Sequence, residues 1–460
     1  MNRDNNQPRR GEEPFPATGY AWYVAVVLTL AHIVSFLDRQ VLALLVEPIK
    51  RDLQINDTQM SLLLGLAFAI FYTVMAIPIG RLADRKSRRT IITMGITAWC
   101  AMTAMCGLTR NYWQLFIARI GVGVGEATLT PSALSMLSDY FPRHKLGAAI
   151  GFYNMGVSVG AGIAFILGGQ VIGYVTNSPP ITLPLIGELY AWQSVFLFIG
   201  LPGLAIAALM ITVREPQRRG TIVLDKTTHN NSAAQANEQI SLREAFRFFK
   251  ARSKTYGGLA LAVSGSTILG YGFLSWLTSM YLRTWDWSVP QIANGIGFVL
   301  LIAGPIGVNG AGWLADRWYS QGKTDAHLRV MMVSAPIMLL ASTALPLMPT
   351  PELALLMLAP HVLGAAGITA AGGAALMLVT PNQLRGQATA MYYFIISLAG
   401  LTLGPFSIAV FTDYVFRDEA ALRYSMAIIG FAAPLLSVIC TIVMRQSYRR
   451  SIAESETWNH

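Results

Sequence analysis

Charge is what this chain has least of. Only 13% of its 460 residues are Asp, Glu, Lys or Arg, whereas 53% are hydrophobic and the mean hydropathy is +0.47. Soluble globular chains carry about 25% charged residues, so about half the usual polar surface is missing. That composition excludes a soluble protein of this length. Cysteine is as scarce: Cys100, Cys106 and Cys440 all fall in apolar runs, with neither metal-ligand spacing nor a disulfide framework. The polar, basic N-terminal stretch has no apolar signal-peptide core, so the first apolar run is expected to direct insertion. Signatures of enzymes are missing too. With no HExxH and no complete GxxxxGK[ST] phosphate loop, no enzyme activity, cofactor or metal is expected.

What fills the sequence instead is a series of apolar runs of about 20 residues between Tyr20 and Met444, each long enough to cross a bilayer. The expectation is an all-α membrane protein of twelve spans. They lie near 20–47, 58–82, 90–108, 112–138, 146–172, 192–213, 255–282, 290–313, 328–347, 352–379, 386–412 and 424–444. With the N-terminus inside, 26 of the 34 Lys and Arg residues fall on one side and six on the other. That bias places both termini in the cytoplasm, and makes the net charge of +10 a signal of topology, not of nucleic acid.

Five segments follow: an N-terminal tail (1–19), a six-helix bundle (20–213), a cytoplasmic linker (214–253), a second six-helix bundle (254–446) and a C-terminal tail (447–460). Within the linker, Thr227–Gln239 is rich in Asn, Ala, Gln and Ser. Ser241 then suits a helix cap, with Leu242, Ala245, Phe246 and Phe249 sharing a face. This segment reads either as a short helix along the membrane surface or as a packed linker helix.

An internal repeat supports the division. GRLADR at 80–85 closes the second run and GWLADR at 312–317 closes the eighth. LGAAIGFYNMGVSVGAG (146–162) is echoed by RGQATAMYYFIISLAG (385–400). A parallel duplication of this kind suits two bundles that rock about a central site.

Within the spans charge is so sparse that each instance is informative. Asp38 and Arg39 lie deep in the first span. Arg119 and Glu126 lie two turns apart in the fourth, about 10 Å along one face. Residue counting sets Asp38 between the latter two in depth, so Asp38 is expected to pair with Arg119 in one state, leaving Glu126 to exchange protons. Arg39 points about 100° away from Asp38. A static ion-pair network that only orders the bundle is the alternative. The second half offers neutral candidates: Ser264, Ser266, Thr267, Tyr271, Ser275, Asn294, Asn309, Thr369, Tyr392 and Tyr393, with Trp276 and Phe298 as bulk. In the first half Phe68, Tyr72, Tyr153 and Asn154 are candidates to face a cavity, whereas His32 and His361 read as packed histidines. One charged half beside one mostly apolar half suits an amphiphile.

GRLADRKSRR (80–89) resembles the signature loop between spans two and three of the major facilitator superfamily. GWLADR resembles its weaker second copy, and RIGVGVGEA (119–127) the fourth-span pattern. The resemblance implies the major facilitator fold and a cytoplasmic gate built from Gly80, Asp84, Arg85, Arg88 and Arg89, echoed by Asp316 and Arg317. It would dock Asp84 near Leu384–Ala388 in the outward-facing state, and leave the arginines for anionic headgroups or inner-face carboxylates.

FLDRQVLALLVEPIKRDL (36–53), together with RIGVGVGEA, is most similar to the Spinster group. That likeness implies proton-coupled movement of a sphingolipid or lysophospholipid by alternating access. Asp38 and Glu126 would carry the proton. Arg39 and Arg119, with Tyr72, Tyr153, Asn154, Tyr271, Trp276 and Tyr392, would serve substrate or gating. A transporter of small organic anions is the rival reading, and a non-transporting receptor or sensor a third. The expected partners are protons, a small amphiphile or anion and membrane lipids, for a monomer in a bacterial inner membrane.

Overall fold

The computed structural model describes residues 15–83, 85–184, 187–218 and 242–456. Among the described residues ten helices are long and apolar enough to cross a membrane: Thr18–Leu44, Asp57–Ala83, Lys145–Thr176, Ala191–Thr212, Ser253–Trp285, Val289–Ser320, Ala326–Leu347, Pro351–Leu378, Arg385–Phe416 and Glu419–Val443. Arg88–Cys106 takes the place of the third span, and Tyr112–Glu126 with Leu129–Tyr140 that of the fourth. Counted this way, helices one to twelve run alternately between a terminal face, which carries the tails and the linker, and a distal face. Asp84, the linker residues Thr227–Gln239 and Ser241 lie outside the described residues.

Local chemistry marks the ends of several helices. Asn56 and Gln59 form a reciprocal capping box at the start of the second helix, and Ser288 with Gln291 repeats it at the eighth. On the distal face three turns after helical segments place a non-glycine residue in the left-handed region: Gln54, Asp286 and Arg417. Short helices flank the core, Val46–Leu53 on the distal side, Leu242–Ala251 and Arg445–Glu456 on the terminal side. In the linker helix Phe248 and Phe249 pack edge-on against Tyr256, so these two aromatics face the protein.

Between the halves the first helix meets the seventh, the second meets the eleventh and the fifth meets the eighth. The last two contacts are tight only toward the distal face. A β-carbon on Gly162 would lie 2.8 Å from the Gly297 carbonyl, and one on Gly169 2.4 Å from the Ala293 side chain. Nearer the terminal face the same helices have separated, since a β-carbon on Gly147, Gly151, Gly310 or Gly312 would meet nothing within 4 Å. The second and eleventh helices each widen into π-helix where they touch, at Leu62–Leu66 and Ala399–Leu403. The halves are thus joined at one end and splayed at the other.

Candidate functional site

The four intramembrane charges do come together, but the pairing differs from the expected one. Arg39 donates from Nε (2.6 Å) and Nη2 (2.5 Å) to Glu126 Oε2. Its guanidinium lies among three rings, 4.5 Å from Phe68, 4.8 Å from Tyr72 and 5.2 Å from Phe36. Asp38 does not pair with Arg119. Among the described residues both its carboxylate oxygens are buried without a hydrogen-bond partner, while Arg119 Nη1 donates to the Asp38 carbonyl, at 3.5 Å, and the Arg119 guanidinium lies 5.6 Å from the Phe68 ring.

The reason is directional. Side chains lean toward the N-terminus of their helix, which is the terminal face for the first helix and the distal face for the fourth. Arg39 therefore reaches down to Glu126 while Arg119 leans up and away from it. Residue counting places α-carbons, not charges.

A cavity of about 1030 Å³ opens beside this cluster. Its wall comes chiefly from the fifth, seventh, eighth and tenth helices and includes Asn154, Tyr271, His361, Thr369 and Tyr393. Among the described residues no Asp, Glu, Lys or Arg lines it. Phe36 is the joint between the two parts, since it lines the cavity and stands beside Arg39. Asn154 and Tyr271 are where a cavity residue should be. Several other expected contacts are not. Trp276 is fully buried and donates to the Pro405 carbonyl (3.0 Å), so it ties the seventh helix to the eleventh. Tyr392 turns into a smaller apolar cleft beneath Phe249, and its neighbour Tyr393 takes the cavity wall. Tyr153 is buried against His32 with ring centroids 4.6 Å apart, and Tyr72 stacks on Phe68. Asn294 lies toward the distal face, where it accepts from Gln170 (3.2 Å), and Phe298 points outward, 58% exposed.

The terminal-face motif divides. Arg88 is buried, not presented to headgroups. It donates to Glu215 Oε1 (2.8 Å), to Ser135 and to Asp139, tying the third helix to the end of the fourth and to the start of the linker. Glu215 also accepts from Ser87 and from the Arg89 backbone; burial raises this carboxyl, but these bonds from Arg89, Arg88 and Ser87 outweigh it and hold it below the usual range. Gly80 and Arg85 face open space or solvent, and Asp316 and Arg317 are likewise exposed, Arg317 lying 5.3 Å from the Trp313 ring.

The distal face carries a cluster that sequence reasoning missed. Arg283, from the seventh helix, forks onto both oxygens of Asp57 (2.8 Å each) and donates to Glu47 (2.9 Å). Lys50 joins Asp57 to Glu419. Counted as loop charges, these residues signalled topology alone; the hint was that acids accompany the few distal bases.

The model of the Major Facilitator Superfamily matches residues 28–359. This chain belongs to that family. It is 26% identical to an MFS-type efflux pump of Mycolicibacterium smegmatis, over 98% of this chain and 96% of the relative. It is 28% identical to a probable L-galactonate transporter of Escherichia coli K12, over 56% of this chain and 53% of that one. Among solved structures, a bacterial homologue of the human lysosomal transporter Spinster, inward-facing and unoccupied, superposes with a TM-score of 0.76. That match covers 96% of this chain and 99% of the other at 24% identity. The superfamily's members in these comparisons are transporters, not enzymes, and the Spinster likeness agrees with the motifs of the first and fourth helices.

Proposed function

We propose that this protein is a proton-coupled secondary transporter of an amphiphile, of sphingolipid or lysophospholipid type, working by alternating access in a bacterial inner membrane with both termini in the cytoplasm. One observation carries the reading: a cavity without a charged wall residue abuts, through Phe36, a buried Arg39–Glu126 pair. An apolar body fits the first and an anionic head the second. The opening between the fifth and eighth helices at the terminal face gives such a molecule a route from the lipid. With the distal face closed by ions, the conformation is inward-facing on this topology.

Coupling follows from competition for Arg39. An anionic headgroup that takes the guanidinium leaves Glu126 an uncompensated buried carboxylate, which is costly, so Glu126 takes up a proton. Asp38, already without a partner, is the second proton site. The test is flux into proteoliposomes of labelled lysophospholipid and sphingosine-type amphiphiles, with and without a pH gradient, for wild type and Glu126→Gln. Gradient-driven flux that disappears in the variant is the expected result. Flux indifferent to both would leave a facilitator.

A second reading, a proton-coupled carrier of small organic anions, has its own support. The L-galactonate transporter is a relative, and the buried Arg119 near the part-buried Arg39 suits a carboxylate. No amphiphile flux from folded protein, with uptake of hexonate or hexuronate, would decide for it.

A further inference from the structure

The second and eighth helices occupy equivalent places in the two halves, and both begin with a capping box. Their second residues differ in one respect. In the eighth helix that residue is Pro290, which has no backbone N–H to satisfy, and its ring packs 2.9 Å from where a β-carbon of Gly173 would stand. In the second helix it is Thr58, whose N–H is free to seek an acceptor. Asn56 does not supply one, because its side chain is spent on Gln59 (2.8 Å). The acceptor comes from the other half of the molecule. Asp413, near the end of the eleventh helix, takes the Thr58 N–H and the Thr58 hydroxyl on the same oxygen, both at 2.6 Å. Its neighbour Thr412 is held inside the second half by Ile408 and Ser425, so Asp413 stands on a fixed base.

We propose that Asp413 is a state-specific helix cap: the second half completes the second helix only while the distal face is closed, so opening that face uncaps the helix. The device is one-sided. On the opposite flank, where the fifth helix meets the eighth, the corresponding contact is a proline on a glycine and an amide pair, Gln170 with Asn294. A negative group at a helix N-terminus adds a charge–dipole attraction to the hydrogen bond, and separation loses both. The distal gate is therefore governed on the flank of helices two and eleven, alongside the Arg283 cluster but separately from it.

The proposal rests on the alternating-access reading, so its test is conformational and needs no substrate. In a background with Cys100, Cys106 and Cys440 replaced by Ala, spin labels at Arg51→Cys and Glu352→Cys report the distal distance by pulsed electron resonance, and a melting curve reports the fold. Asp413→Ala is expected to enlarge the long-distance population at least two-fold, with Asp413→Asn intermediate because it keeps an oxygen acceptor but no charge. Asn56→Ala, which removes a cap inside one half, should lower the melting temperature and leave the distances alone. If both Asp413 variants lower the melting temperature as Asn56→Ala does, without moving the distances, the cap is not state-specific and the proposal fails. A long-distance population that appears with Arg283→Ala but not with the Asp413 variants also overturns it, while sparing alternating access. A distal distance that no variant changes sinks both.

Discussion

At the scale of single residues, Asp38 and Arg39 are neighbours in sequence with opposite circumstances. Arg39 has a carboxylate and three rings; Asp38 is buried and has no hydrogen-bond partner. Neutralising each acid should therefore act differently on the fold. Glu126→Gln strands a buried guanidinium, and breaking a buried pair in this way costs about 3–5 kcal/mol, so its melting temperature should fall. Asp38→Asn removes a buried carboxylate that makes no ion pair among the described residues and should melt no lower than wild type, while gradient-driven transport is lost. Fluorescence melting beside flux separates the two. Arg39→Lys keeps the charge but loses the fork and the flat stacking surface, so transport should drop by about ten-fold or more. The four charges were legible in the sequence because so little else in the spans is charged. Their partners were not, since a pairing depends on which way each side chain leans.

At the scale of helices, what decides behaviour is whether a contact lies within one half or between the two. A β-carbon on Gly123 would stand 2.7 Å from the Phe68 carbonyl, inside the first half, and one on Gly65 would stand 2.2 Å from Leu401 O, across the halves. Gly123→Ala is expected to destabilise the bundle by about 1–3 kcal/mol without opening the distal face. Gly65→Ala should instead hold that face apart, raising thiol labelling of a distal cysteine such as Arg51→Cys, with a smaller loss in melting temperature. Elsewhere the backbone leaves room for gain. Arg417 ends the eleventh helix at φ 55°, and Arg417→Gly should add roughly 1 kcal/mol in a denaturation curve by relieving the left-handed conformation. Span positions could be read from apolar runs, whose length is set by the bilayer. The inward or outward facing of aromatics could not: Tyr392 is of the same residue type as Tyr271 and Tyr393, which line the cavity, and differs from its neighbour only in helix rotation.

At the scale of the whole molecule, the two halves solve one problem with inverted charge. Below the first half a buried arginine, Arg88, gathers acids from the fourth helix and the linker. Below the second a buried acid, Asp325, accepts from Arg329 (2.6 Å) and from Arg449 of the terminal helix (2.8 Å). Burial opposes its ionisation, but the bonds from those two arginines prevail and lower its pKa. A carboxyl lowered in the fold stabilises at every pH above its unfolded value of about 3.9 and loses that contribution as pH falls through the folded value. Hydrogen exchange over Arg445–Glu456, corrected for the intrinsic pH dependence of amide exchange, should thus be flat from pH 7 to 5 and rise on further acidification. Asp325→Asn should show the raised exchange already at pH 7 and no further acid step. The duplication was visible in the repeated GRLADR and GWLADR. The inversion was not, because Arg88 meets Glu215 and Asp325 meets Arg449 from more than a hundred residues away, where no local pattern connects them.

The paired π-helical stretches of helices two and eleven have an implication for tolerance to deletion. Each such stretch accommodates roughly one residue more than an α-helix of the same rise. Removing a single residue from Leu62–Leu66 should let that helix close into an ordinary α-helix and still cross the membrane. The same deletion in an α-helical stretch such as Ala67–Ala83 has no surplus residue to consume, and would turn everything on one side of the cut by about 100° relative to the other. Gly65 would swing away from Leu401, and Asp57 and Thr58 would leave Arg283 and Asp413. The surplus residue is slack: it is taken up within one wide turn and leaves both flanks in phase, a setting that neither length nor hydrophobicity reveals.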